Sequence, residues 1–244
     1  EERYLAEHAG HGGARARVTT APVELTAADW PGFRGPGRDG VVHGLTIAKD
    51  WQASPPKLVW KERVGPGWSS MCVVGERVYT QEEHGDVEAV VCRDAGNGAE
   101  IWAHLDGVRF EEAMAGAGPR ATPTFSDGRI YVLTARGLLL CLDAASGEKV
   151  WQRDVAAESG AALPIWGYCA SPLIEGGRAI IFAGGEPKGV LAYDAKDGTP
   201  AWTAAAGKVS YGSVQKGKVA GETQLLVWSD KGLVAMDPAS GAVR

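Results

Sequence analysis

The residues best suited to chemistry are aromatic, hydroxyl and guanidinium side chains that recur at equivalent places along the chain. They are Trp68, Ser69 and Ser70; Arg120 and Thr122; Trp166, Tyr168 and Ser171; and Tyr211 and Ser213. Arg120 can hold a carboxylate through two parallel N–H bonds, and Trp68, Trp166, Tyr168 and Tyr211 can stack on a planar ring. Those five are the candidates for binding a cofactor or small ligand. A second reading stands beside this one: the same aromatics and hydroxyls can fill a channel and satisfy strand-edge backbone, and a buried Arg120 needs a partner in either case.

Other combinations yield less. His43, His84 and His104 have no motif around them, and no Ser/His/Asp or Cys/His constellation can be assembled, so no catalytic residue is assigned. Residues 116–120 lack the Gly-Lys-Ser/Thr ending of a phosphate loop. Glu82-Glu83, Glu111-Glu112 and Asp127 read as acidic loop residues that face water rather than share a proton. His8 and His11 are spaced for a metal on a helix, but Gly10, Gly12 and Gly13 oppose that helix and leave a solvated tail; no metal ligand is assigned. Cys72, Cys92, Cys141 and Cys169 stand singly in apolar, strand-like contexts and read as packing thiols.

The elements that must position these residues are repeated. Asp143-Ala-Ala-Ser-Gly147-Glu-Lys-Val-Trp151 has counterparts at Asp94 to Trp102 and Asp194 to Trp202, and a fourth copy, Asp237 to Arg244, stops one residue short of its Trp. The four Asp are 49, 51 and 43 residues apart, the range of a repeating small antiparallel sheet. Apolar strand-forming residues precede each Asp, whose carboxylate can accept backbone N–H groups and close a turn. The following Gly supplies positive φ, and the returning strand ends in Trp. An indole recurring once per sheet is expected as a wedge between sheets, with burial contributing roughly 2–3 kcal/mol.

Four strands per repeat follow, in the second repeat at about residues 120–125, 129–134, 137–142 and 148–153. Pro123 and Pro172 are placed in first strands and Pro200 in a fourth, edge positions that need no ladder donor. Sheets apolar on both faces must stack, and radial stacking gives a β-propeller with first strands lining the channel. The predicted division is a mobile lead-in over 1–29, with a short helix near 3–9, then a packed loop with an outer strand of an additional blade at 57–61 over 30–63. Blades at 64–104, 105–153 and 154–204 and an incomplete blade at 205–244 complete it. The fold class is therefore all-β: four-stranded antiparallel blades, about four of them, expected as a fragment of a larger ring, with a closed four-bladed ring as the alternative.

Of the 244 residues, 45% are hydrophobic, with Gly 34 and Pro 13, which suits a turn-rich all-β chain. The net charge of −5 and the absence of a basic stripe argue against a nucleic-acid partner, and no apolar run is long enough to span a membrane.

The segment at 29–40, with Trp30-Pro-Gly-Phe-Arg-Gly-Pro-Gly-Arg-Asp-Gly40, resembles the Trp-Pro-x-Phe/Trp-Arg-Gly-Pro-x-x-Asp-Gly opening of bacterial proteins with PQQ-like (pyrroloquinoline quinone) repeats. The resemblance continues through Trp60, 65–70, 118–124, 166–172 and the four Asp–Gly–Trp turns. It implies a β-propeller of seven or eight blades, of the quinoprotein alcohol dehydrogenase-like superfamily, and a periplasmic or otherwise exported location. Two functions are compatible with it. One is a scaffold that binds a protein or small ligand at the channel mouth, similar to the lipoprotein of the outer-membrane barrel-assembly machinery. The other is the structural half of a PQQ-dependent alcohol or sugar dehydrogenase, whose full-length form would carry PQQ with calcium. That family's adjacent Cys-Cys pair has no match here, and the only Asn, Asn97, sits in a turn. As a piece of a ring, the chain is also expected to self-associate.

Overall fold

In the computed structural model, residues 4, 6, 22–208 and 211–244 are described. His8, His11 and most of the lead-in lie outside them; of the expected helix near 3–9, Tyr4 and Ala6 are helical.

Four antiparallel sheets follow one another in chain order. The first holds β1 (Cys72–Val74), β2 (Arg77–His84), β3 (Val87–Asp94) and β4 (Glu100–Asp106). A small hairpin, β5 (Glu111–Glu112) and β6 (Gly116–Ala117), leads to the second sheet of β7 (Thr124–Ser126), β8 (Arg129–Leu133), β9 (Leu138–Asp143) and β10 (Lys149–Asp154). After the short helix α1 (Val155–Ser159) come β11 (Leu173–Glu175), β12 (Arg178–Phe182), β13 (Val190–Asp194) and β14 (Pro200–Ala204). The last sheet has three strands: β15 (Gln215–Val219), β16 (Glu222–Ser229) and β17 (Gly232–Met236). These are propeller blades, and three apolar clusters fill the wedges between consecutive ones.

Each Asp closes the turn that its sequence context requires. Asp94, Asp143 and Asp237 each accept two backbone N–H bonds from the next turn, as with Ala145 and Ser146 at 3.0 and 2.9 Å, and Asp194 accepts one from Lys196. The glycines that follow sit at φ between 72° and 76°. They also serve a second purpose. A Cβ on Gly198 would stand 2.8 Å from the Trp151 ring, and one on Gly241 would stand 2.4 Å from Trp202. Glycine and tryptophan of the motif are therefore partners across a seam, each indole lying on the next blade's turn. Trp102 Nε1 donates to Ala144 O at 3.2 Å and Trp151 Nε1 to Ala195 O at 3.0 Å, the acceptor in each case being the residue after the Asp.

Several expectations need correction. Residues 57–61 form no strand, because no described neighbour offers them a ladder. Trp60 nevertheless makes the seam contact, donating to Ala95 O at 2.7 Å and lying on Gly98. The first strands of the three four-stranded sheets are three residues long rather than six, and Pro123 and Pro172 precede two of them. The backbone of 120–123 is satisfied by neighbouring blades instead of by its own sheet. Ser70 N–H donates to Thr122 Oγ1 (3.3 Å), Thr122 N–H to Ser171 Oγ (2.9 Å) and Ser171 N–H to Ser213 Oγ (2.9 Å). The hydroxyls predicted at channel positions thus form a second, inner seam that serves edge-strand backbone.

The 29–40 loop lies across the inner edges. Trp30 bridges Val73, Pro31 O accepts from Phe125 N, and Arg38 donates to Ser171 O and Pro172 O. At the far end the outward face of β16 and β17 is open, with Trp228 67% and Leu233 59% exposed.

Candidate functional site

The Asp turns occupy one face of the arc, the turn face. The opposite link face carries the long connections from each fourth strand to the next first strand, and four of the five candidate residues gather there. Trp68 donates its backbone N–H to Pro119 O and its indole Nε1 to Ala115 O, both at 2.8 Å. The approach is so close that a Cβ on Gly118 would stand 2.2 Å from Pro66 O, which restricts that position to glycine. Arg120 donates to Gly116 O (2.6 Å), Ala117 O (3.3 Å) and Trp166 O (3.3 Å), lies 3.4 Å from Glu112 Oε1 and covers the Phe110 ring. Trp166 N–H reaches Tyr211 Oη at 3.4 Å, and the two rings tilt against each other at 4.8 Å. One chain of contacts thus stitches four links into a single rim.

The individual side chains differ in their surroundings. Arg120 is 9% exposed, and its guanidinium bonds to three carbonyls of the chain and lies beside Glu112, which ties the links together. Tyr168 is 2% exposed and belongs to the core between the second and third blades, packed over Gly137, because Gly167 at φ 72° turns its ring inward. Trp68 (64% exposed) and Trp166 remain at the surface, beside Met114 (83%) and Ile165 (79%).

Sequence reasoning missed a buried acidic row. Glu82 and Glu83 do not face water; both lie in β2 and are nearly inaccessible. Strand alternation sends them to opposite faces. Glu82 accepts Gly65 N–H and sits 3.0 Å from His84 Nε2, on the side where Tyr4 stacks on His84 at 3.7 Å. Glu83 pairs across the ladder with Glu88, and Glu88 with Asp106, which places three carboxyl side chains in one line facing the second blade. Glu83 accepts from Phe110 N–H and Arg109 Nε, while Glu88 accepts from Ala135 N–H at 3.3 Å. Burial, reinforced by Glu83 and Asp106 and opposed by Ala135 N–H and Arg120, pushes the Glu88 carboxyl up to about 8. His104, 3% exposed, lies on the same face with Nε2 3.3 Å from Asp106 Oδ2 and Nδ1 unpaired. The available signal was the period-two spacing of Gln81 and Glu83 in a strand of eight residues, longer than its counterpart of five in the next blade.

The family of outer membrane protein assembly factor BamB matches residues 86–244. The chain belongs to this PQQ-repeat family. It is also 32% identical over 137 residues to the quinohemoprotein alcohol dehydrogenase ADH-IIG of Pseudomonas putida, an alignment covering 53% of this chain and 18% of that enzyme. The chain spans less than a fifth of the length of the curated relatives it matches. Among solved structures, the quinohemoprotein alcohol dehydrogenase of Comamonas testosteroni superposes with a TM-score of 0.65 at 18% identity, covering 89% of this chain and 40% of that one. Pseudomonas putida ADHIIG superposes at 0.58 and 20% identity, covering 77% and 35%. These likenesses establish the quinoprotein alcohol dehydrogenase-like propeller fold.

Of the candidate aromatics, Trp166 tilts against Tyr211 while staying partly exposed and Trp68 is open to solvent, whereas Arg120 is bound by three carbonyls of the chain itself. No group of three or more His, Cys, Asp or Glu among the described residues can hold a metal ion.

Proposed function

We propose that this chain works as a propeller scaffold that docks a protein partner on its link face. The observation that carries this reading is the rim itself. Trp68, Met114, Ile165 and Trp166 are large, apolar and exposed, yet the links bearing the two tryptophans are fixed by hydrogen bonds to neighbouring links, so docking would cost little ordering entropy. The family's role in outer-membrane assembly supports a protein partner and an exported, periplasmic location. Among the described residues no helix is long and apolar enough to cross a membrane. We take the functional units to be the blades at 64–104, 105–153, 154–204 and 205–244, with 30–63 as a packed strap. Photo-crosslinkers placed in cells at Trp68 and Ile165 should give a discrete protein adduct that one at Lys196, on the turn face, does not. Equal adducts from all three positions, or none from the rim, would defeat the proposal.

A second reading, the structural half of a PQQ-dependent dehydrogenase, is favoured by the likeness to quinohemoprotein alcohol dehydrogenases. Dye reduction by the full-length protein with PQQ and Ca²⁺ on adding an alcohol or sugar would select it over the scaffold. The open face of the last blade also supports self-association of the 244-residue chain, which light scattering would register as a mass above the monomer and Trp228→Lys should reverse. A monomer at high concentration would contradict it.

A further inference from the structure

Among the described residues, Arg38 is a charge without a counter-charge. It is 9% exposed, and among the described residues no carboxylate lies within ion-pair distance. Its Nη1 donates to Pro172 O at 2.9 Å and its Nη2 to Ser171 O at 3.2 Å, while Nε has no partner. The backbone at Arg38 takes φ 53°, a conformation that side-chain-bearing residues adopt at a cost, so the loop is held in strain where it delivers this guanidinium. Burial alone lowers the group to about 10, and it stays protonated at neutral pH. Buried guanidinium donors left unfilled are costly, and the usual resolution is an acid supplied by the protein or by a ligand. The described residues supply none.

Arg38 lines a partly open pocket of about 210 Å³ beneath the 29–40 loop, bounded on its other side by the inner edges of the second, third and fourth blades. The walls include the apolar Pro31, Phe33, Pro36, Leu173 and Ile174 alongside Thr124 and Ser126. The other cation at this site, Lys216, is paired with Glu175 at 2.7 Å. A single unpaired cation in an apolar chamber suits a monoanion better than a phosphate, whose second charge would go unmatched. The volume lies below the range for drug-sized ligands. We propose that this pocket binds a small carboxylate with an apolar tail, its carboxylate on the remaining N–H groups of Arg38 Nη1 and Nη2 and its tail against Leu173 and Ile174. The pocket is separate from the link-face rim and does not depend on how that rim is used.

Benzoate is a suitable probe, titrated by calorimetry into the intact chain at constant ionic strength, with inorganic phosphate and chloride as separate arms. Saturable benzoate binding is expected, with neither inorganic anion competing at equal concentration. Arg38→Gln should weaken it by about tenfold or more, as loss of a buried charge partner does. Leu25→Glu, a change at a half-exposed wall position, places a negative charge beside the pocket and should weaken benzoate without touching the core. If Arg38→Gln does not fold, the Leu25→Glu result decides. Absence of saturable binding, benzoate affinity unchanged in the variants, or phosphate binding as tightly as benzoate would each overturn the assignment.

Discussion

The wedge between the first and second blades and the wedge between the second and third share one register and differ in chemistry. Near the turn face they are alike: Tyr79, Cys92 and Trp102 stand opposite one another in the first blade, as do Tyr131, Cys141 and Trp151 in the second. In both, the tyrosine hydroxyl and the indole donate to the same carbonyl, Ala144 in one seam and Ala195 in the other. Toward the link face they part. The second wedge continues with Leu133, Leu139 and Val155, whereas the first carries Gln81, Glu83, Glu88, His104 and Asp106. The turn-face half is therefore the common fastening of the repeat. The link-face half can be rewritten with buried polar groups so long as neighbours such as Phe110, Ala135 and Gln81's acceptor, Ala121 O, supply bonds.

Breaking the shared half should have the largest effect. Trp151→Ala is expected to cost about 3–5 kcal/mol in urea denaturation, the cost of a large-to-small change in a packed core. A loss within about 0.5 kcal/mol, typical of surface sites, would show that the indole does not fasten the blades.

The differing half should respond to pH. Because Glu88 is raised above its ordinary value of 4.5, to about 8, the folded state holds that proton more tightly than the unfolded one. The stability this confers is complete below pH 4.5 and is lost as pH rises toward 8, with Glu83, Asp106, His104 and Arg120 facing the same carboxyl. Glu88→Gln should flatten that decline, with the two proteins diverging by on the order of 4 kcal/mol by pH 8. Parallel stability curves for the two proteins would place Glu88 outside the acidic row's titration.

The smallest effect sharpens the comparison by adding the third seam. Trp202 lies on Gly241 like the others, but its Nε1 is buried without a hydrogen-bond partner. Trp102→Phe should therefore cost about 1 kcal/mol more than Trp202→Phe, the net value of one hydrogen bond. Equal costs in equilibrium unfolding would mean that the indole bond to the turn carbonyl contributes nothing.

The repeat was legible because its parts act locally. An Asp that caps its own turn, a Gly at φ near 75° and an apolar run before them need no distant partner to be recognised. The rim was legible in part. Trp68, Arg120, Trp166 and Tyr211 were found by their place in the period, but Arg120's commitment to three carbonyls depends on where the 107–119 link folds back. Glu82 and Glu83 were misplaced because a strand that outruns its counterpart by a few residues has no marker until β3 and β4 pair with it. The burial of Tyr168 in the core between the second and third blades has no marker in its own segment, since it depends on Gly137 of the preceding blade leaving room for the ring.

The sequence by itself determined the all-β class, the four Asp turns and the spacing of the indoles, since turn closure and strand alternation are properties of short segments. Only the tertiary structure decided that the indoles of Trp60, Trp151 and Trp202 lie on the following turn's glycine, that Arg120 bonds to three link carbonyls, that Arg38 is buried with no carboxylate partner among the described residues, and that burial raises the Glu88 carboxyl. Those outcomes depend on burial and on which acceptors the neighbouring blades bring within about 3 Å, and neither is encoded in the spacing of residues along one chain.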